Sequence, residues 1–579
     1  MEKSTVKSMH IVELTQAQVS RGAIEKLYIE MRHLLNRGHY KPFGNSGKDL
    51  KNALLTLKPE IYGSMDDSLK VELDGLVYVI DRLPKGIEEC RFIRLISEEG
   101  YFTSGFEVIV PAQRRRNCYR IDHEQIFIEV TRGRSEIYDI LTHLTFLYIE
   151  AEKIINQAVN ERGEESKEWL KLKQMVELDE VFTEKDIDGN KHIFTYLSTL
   201  LGRPFEETKK AYLRLAANPA KNSGLFKVIY GLGTAALEQA KFRKDREISF
   251  TPTLRQRIGH HFYGELWAIG IKATLAEYNL LDRPVHIISA NMHSIMNSIF
   301  ALPALKTSKL QDKTIDGLAV ALSKPENDTL RQQVEDYAIK HGMIYIAATS
   351  GTNIPVQIID TSKLSLPDLS SELPYNRNYI EKVKPVILVM DYAFGEQAYE
   401  TMDELLKPYE SGATTVPMNV ASISIMGKAG ILEGEKGDIM IPTSHVFEGT
   451  ADNYPIENEF KESDFANSGV GVYAGSMITV LGTSLQNRDV LSYFKNSSWN
   501  AIGLEMEGAH YQKAIQSHAS IRNNISKDVT IRYAYYASDN PLITGATLAS
   551  GSLGLIGVKP TYLITINILK RIMNPIKVV

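Results

Sequence analysis

The chain has 579 residues, 43% apolar and 24% charged, which is material for roughly three to five domains and is unlike a disordered tail. Its 66 basic residues against 71 acidic ones leave a formal net charge of −5, so no overall basic excess marks a nucleic-acid binder. Two cysteines, Cys90 and Cys118, exclude a disulfide framework and a zinc cluster and fit a reducing compartment.

The first twenty residues mix Glu2, Lys3, Lys7 and Glu13 among apolar ones and lack the unbroken apolar core of a signal peptide. No stretch offers the ~18 to 20 apolar residues of a membrane span, the candidate at 553–569 being interrupted by Lys559 and Pro560. The expectation is a soluble, cytoplasmic protein with no membrane partner.

From residue 24 to about 244 apolar residues recur at helical spacing, as over 136–162, between charge-rich connectors at 161–168 and 177–191. Short β-branched and aromatic runs predict strands at 105–110 and 125–131, a small sheet among the helices. After about residue 281 the rhythm changes. Strands are expected at 285–289, 317–322 and 343–348, with helices from His293 and over 332–340 between them. A Ser-, Pro- and Leu-rich loop follows at 361–378, then strands at 386–390, 420–426 and 438–442, a helix at 396–406, and a last helix at 562–573. The pattern divides the chain into a mainly α-helical module over 1–280, of unassigned role, and an α/β domain over 281–579 with a mixed central sheet flanked by helices.

Chemistry concentrates in three places. The strand at 420–426 is expected to open into a glycine turn of Gly427, Lys428, Ala429 and Gly430, where a ligand can approach the backbone, with Gly437 and Asp438 opening the next strand. Residues 501–508 run as a strand into Glu505, Met506 and Glu507, with a helix beginning near Ala509; a carboxylate there can accept paired hydrogen bonds from a sugar diol. The strand at 531–537 ends in Ser538, Asp539, Asn540 and Pro541, and an acid in such a partly apolar pocket suits a general acid.

In this order the three landmarks resemble the purine nucleoside phosphorylase and nucleosidase superfamily over about 385–579, and 538–542, with Gly545 just after, is similar to AMP nucleosidases. The resemblance implies a nucleoside phosphorylase-like fold in which Asp539 protonates N7 of a purine leaving group. It further implies that Glu507 binds the ribose hydroxyls and steadies an oxocarbenium-like sugar, with Met506 lining the sugar pocket. Glu505, Gly427, Lys428, Ala429, Gly430, Ser538, His445 and Leu485 are expected substrate contacts on the same ground, Ser484 and Leu485 standing near the place of the aromatic that commonly stacks on the base. Glu448 and His293 are further candidates, although a capping or buried role suits His293 better. Ile425 replaces the Arg with which phosphorolytic relatives hold phosphate, which favours hydrolysis, while Lys428 could hold a free or nucleotide phosphate as a point charge. The implied activity is hydrolysis of the N-glycosidic bond of an AMP-like purine nucleotide or nucleoside in a homo-oligomer. The alternatives are a phosphate-dependent phosphorylase and a catalytically weak nucleotide sensor.

Other polar clusters read more simply. His260, His261 and Glu265, and His143 with Glu150 or Glu152, have helical spacing but no completed ligand set, so no metal or cofactor is expected. Arg114, Arg115 and Arg116 read as a solvated basic loop.

Overall fold

Two mixed sheets organise the chain in the computed structural model, which describes residues 14–160, 162–412, 414–450, 452–543 and 553–575. Gly545 lies outside the described residues. The first sheet holds β1 (His39–Tyr40), β2 (Phe92–Ile96), β3 (Val108–Ile109), β4 (Cys118–Arg120), β5 (Gln125–Glu129) and β6 (Glu247–Phe250) in the order β1-β6-β2-β5-β4-β3. Helices surround it. Gln16–Arg37 starts at a capping box between Thr15 and Gln18, and Gly133–Ala158 runs almost wholly buried against Leu225–Phe242.

The second sheet contains β7 (Val285–Ser289), β8 (Met343–Ile346), β9 (Val356–Asp360), β10 (Val386–Met390), β13 (Val420–Ile431), β14 (Ile439–Phe447), β15 (Asn453–Pro455), β16 (Val472–Thr479), β17 (Ala501–Glu505) and β18 (Thr530–Asp539). A separate hairpin pairs β11 (Tyr409–Ser411) with β12 (Thr414–Val416). Every residue of β7 and β10 is buried, as parallel strands covered on both faces require. Met292–Ala304, Ile315–Leu322 and Val558–Met573 cover one face, while Phe262–Glu277, Gln397–Leu406 and Gly508–Gln516 cover the other. β13, β17, β16, β14 and β18 close into a five-stranded ring, because β18 pairs with both β13 and β14.

Two sequence expectations fail here. The run at 317–322 is a helix, Ile315–Leu322, started by Thr314, whose side chain accepts from the Gly317 amide; a short apolar run does not separate strand from buried helix. Residues 427–430 are no turn either, since β13 continues through them to Ile431. The six-stranded sheet also exceeds the two strands foreseen at 105–110 and 125–131. Finally, the apolar core of the helical half continues without a break into Leu432, Val446, Ile478, Leu485, Val490, Phe494 and Leu504 of the second half. No helix among the described residues is long and apolar enough to cross a membrane.

Candidate active site

Gly430 of β13 pairs with Leu504 of β17 on one side and with Asp539 of β18 on the other. Strands in a sheet lie ~4.8 Å apart, so the ends of β17 and β18 stand about 10 Å from each other across this glycine. Between Ala429 and Gly430 the β13–β18 register shifts, so that Ala429 faces Ala537 and Gly430 faces Asp539. Ser538 falls into the shift. Its hydroxyl lies 3.0 Å from the Ala429 carbonyl and also reaches Oδ1 of Asp539. Oδ2 of Asp539 is buried and has no partner among the described residues. Burial raises the Asp539 carboxyl above its ordinary range, against the pull of Ser538, Lys428 and Lys436.

Across Gly430, the two glutamates divide their work. Glu505 accepts from the Thr479 hydroxyl and from the amides of Glu507 and Gly508, so both of its oxygens are engaged at the start of the helix Gly508–Gln516. Burial pushes it up to about 7. Glu507 accepts from the Gly395 amide at 2.8 Å, and burial, with the Glu505 carboxylate beside it, pushes it up to about 8. Gly395 has φ +56, and a Cβ there would lie 2.4 Å from the Ser135 hydroxyl. That hydroxyl accepts from the Glu396 amide at 2.9 Å, so the helical half braces the loop that holds Glu507. Met506 is buried, with its methyl near Gly395. Close by, the hydroxyls of Tyr511 and Ser289 lie 3.0 Å apart at the end of β7.

Two cavities adjoin this edge. One of about 450 Å³ is lined by Lys428, His293, Asn291, Tyr536 and Tyr562, bringing together exposed side chains from the ends of β7 and β13. The other, about 360 Å³, lies between the helical half and the ring and is lined by Glu448, Thr479, Ser135, Tyr138, Arg134 and His510. Glu448 is 2% exposed and burial pushes it up to about 7.

A family model described as a family of unknown function (DUF6909) matches residues 48–312 and 320–574. The chain belongs to this family. No curated protein matches it. Among solved structures, this DUF6909 member is similar to the Campylobacter jejuni 5′-methylthioadenosine/S-adenosyl homocysteine nucleosidase, at 12% identity and a TM-score of 0.30 over 50% of this chain and 99% of that one. It is similar to the Streptococcus pneumoniae MTA/SAH nucleosidase at 13% identity and a TM-score of 0.29 over 50% and 99%. For the AMP nucleosidase of Bacteroides thetaiotaomicron the figures are 14%, 0.27, and 50% and 90%.

The remaining sequence candidates of the DUF6909 chain lie elsewhere. His445 is buried inside the ring beneath Gly508, its Nε2 3.1 Å from the Tyr535 hydroxyl, and burial lowers it to about 3. Leu485 belongs to the core shared with the helical half and lines neither cavity. Gly427 and Ala429 contribute backbone to β13, and Ile425 is buried. His261 gathers with Asp403 and Glu404 rather than with Glu265, but Asp403 already faces Arg522 at 2.8 Å and His518 at 3.1 Å, and Glu404 faces Lys407 at 2.6 Å. Glu150 is paired with Lys153 at 2.9 Å and Glu152 with Lys51, which leaves His143 beside Asp139 at 3.7 Å. Of the basic run only Arg115 is exposed; Arg114 and Arg116 turn inward onto Asp139, correcting the solvated-loop reading. Sequence reasoning missed Ser135 and Thr479, which touch the site only through folding.

Proposed function

We propose that the chain hydrolyses the N-glycosidic bond of a purine nucleotide or nucleoside, with the α/β part over 281–579 carrying the reaction. The observation that carries this reading is the placement of Asp539 and Glu507 on the two strand ends that flank Gly430, the first with a buried oxygen left unpartnered among the described residues. A carboxyl raised by burial holds its proton toward neutral pH and can deliver it. The C1′–N9 bond breaks with its electrons drawn into the purine, Asp539 gives its proton to N7, and water adds hydroxyl to C1′ while its second proton restores the acid through solvent. Glu507, anchored by Gly395, accepts hydrogen bonds from the ribose diol and steadies the cationic sugar. Glu505 fixes the helix start that positions Glu507. Lys428 in the 450 Å³ cavity favours one second reading, with phosphate in place of water.

The test is chromatography of products from AMP, adenosine, inosine and methylthioadenosine, each with and without phosphate, beside Asp539→Asn. Base release that ignores phosphate and is lost in the variant is the expected result. Release only with phosphate makes the chain a phosphorylase, and no release from any substrate turns the reading to a nucleotide sensor.

A further inference from the structure

The inward-turned arginines have no role in the site so far. Arg114, Arg116 and Arg132 gather around Asp139 and Glu136, which are the carboxylates within ion-pair distance of them among the described residues, and Arg82 adds a further positive charge nearby. Three guanidiniums therefore share two carboxylates. Arg114 grips Asp139 with two nitrogens at 3.0 and 3.2 Å, Arg116 reaches the same carboxylate at 3.3 Å, and Arg132 reaches Glu136 at 2.9 Å. Arg82 stacks on Tyr78 at 3.5 Å instead. Nη1 of Arg116, on a side chain only 2% exposed, and Nε of Arg132 are buried without an acceptor among the described residues. A buried cation with an idle donor is costly unless an anion completes it.

The cluster is not fully sealed from solvent. Arg114 and Arg132 each keep 16% side-chain exposure, and their guanidinium carbons lie 5.9 and 5.1 Å from the Phe394 ring. Phe394 immediately precedes Gly395, whose amide holds Glu507. Arg132 also stands at the start of the 26-residue helix Gly133–Ala158, at a left-handed Gly133 (φ +77) packed on Glu400. Glu136 takes the Thr131 and Arg132 amides, and the helix dipole adds to the positive field beyond them.

We infer that Arg132 and Arg114, backed by Arg116, bind the phosphate of a nucleoside 5′-monophosphate whose sugar rests on Glu507, so that the helical half supplies substrate specificity to the ring. The paired, planar donors of arginine match a phosphate better than any neutral sugar substituent. The nucleotide assignment rests on the nucleosidase reading above; the anion site does not.

The test reads binding, not turnover. AMP, adenosine and inorganic phosphate are titrated calorimetrically into the full chain carrying Asp539→Asn. AMP should bind at least tenfold more tightly than adenosine, and phosphate should displace AMP without strengthening adenosine. Adding Arg132→Gln should erase the AMP advantage and leave adenosine within twofold, while Arg115→Gln on the exposed side of the same loop should change neither. Arg132→Lys keeps the charge but loses the fork, so it should fall between the two and serves if the glutamine variant melts early. Equal affinity for AMP and adenosine, or an AMP advantage that survives Arg132→Gln, overturns the proposal. Phosphate that tightens adenosine overturns the nucleotide assignment in favour of a free phosphate. An Arg132-dependent AMP advantage in a chain that releases no base leaves this site standing and removes the nucleosidase reading; base release without that advantage does the reverse.

Discussion

Glu136 and Asp139 in the helical half are buried about as deeply as Glu505 in the ring, at 1%, 9% and 3% exposure, yet their protons behave in opposite ways. Burial raises all three. In the helical half Arg132 and Arg116 overcome it for Glu136, and His143, Arg114 and Arg116 overcome it for Asp139, so both stay ionised below the usual carboxylate range. At the ring edge Glu505 and Glu507 have hydrogen bonds but no cation to draw them down, and they rise to about 7 and about 8. Depth alone therefore does not decide what a buried acid can do. The company of guanidiniums makes one pair a fixed charge, and its lack lets the other titrate near neutral pH.

The sharpest way to break the contrast is to remove the proton itself. Asp539→Asn should cut base release by ~10²- to 10⁴-fold, measured by product chromatography, while the melting temperature stays near wild type. Removing the other region's anchor should act on stability instead. Asp139→Asn leaves Arg114 without its carboxylate and Arg116 with Glu136 alone, and should cost roughly 3–5 kcal/mol in urea unfolding. Because the folded state holds Asp139 below its unfolded value near 3.9, its contribution is present above that pH and is lost as acid is added, so the wild type should lose more stability than the variant below about pH 4.

Glu507→Gln should do the reverse. Its carboxyl titrates near 8 when folded and near 4.3 when unfolded, so the wild type loses stability as pH rises between those values and the variant does not. The variant should melt higher than wild type at pH 8 and turn over more slowly, seen by thermal melts and rates side by side. Lys428→Ala removes a cation that pulls Asp539 down, so the alkaline limb of the rate profile should move to higher pH. The smallest effect belongs to Arg115→Gln, which should stay within about 0.5 kcal/mol because its side chain is exposed.

The acids of the candidate site could be picked out from the sequence, but their surroundings could not. Glu505, Glu507, Ser538 and Asp539 were legible because each closes a strongly apolar strand, a local signal. The span 427–430 was misread because glycines mark both turns and register shifts, and only the pairing of Ala429 and Gly430 with β18 tells them apart. Leu485 and His445 carried no mark of burial, since the cover comes from Tyr62 and the first half in one case and from Gly508 and Tyr535 in the other. Arg114 and Arg116 looked solvated for the same reason, their partner Asp139 lying 25 and 23 positions away.

The unbroken core between the halves has a thermodynamic consequence. Leu54, Leu57 and Leu144 share one apolar cluster with Leu432, Ile478 and Leu504, so neither half can melt while the other keeps its surface dry. Stability is pooled: heat should unfold the chain in a single transition, and a molecule gripped at the ring edge should delay the loss of helix some hundreds of residues away.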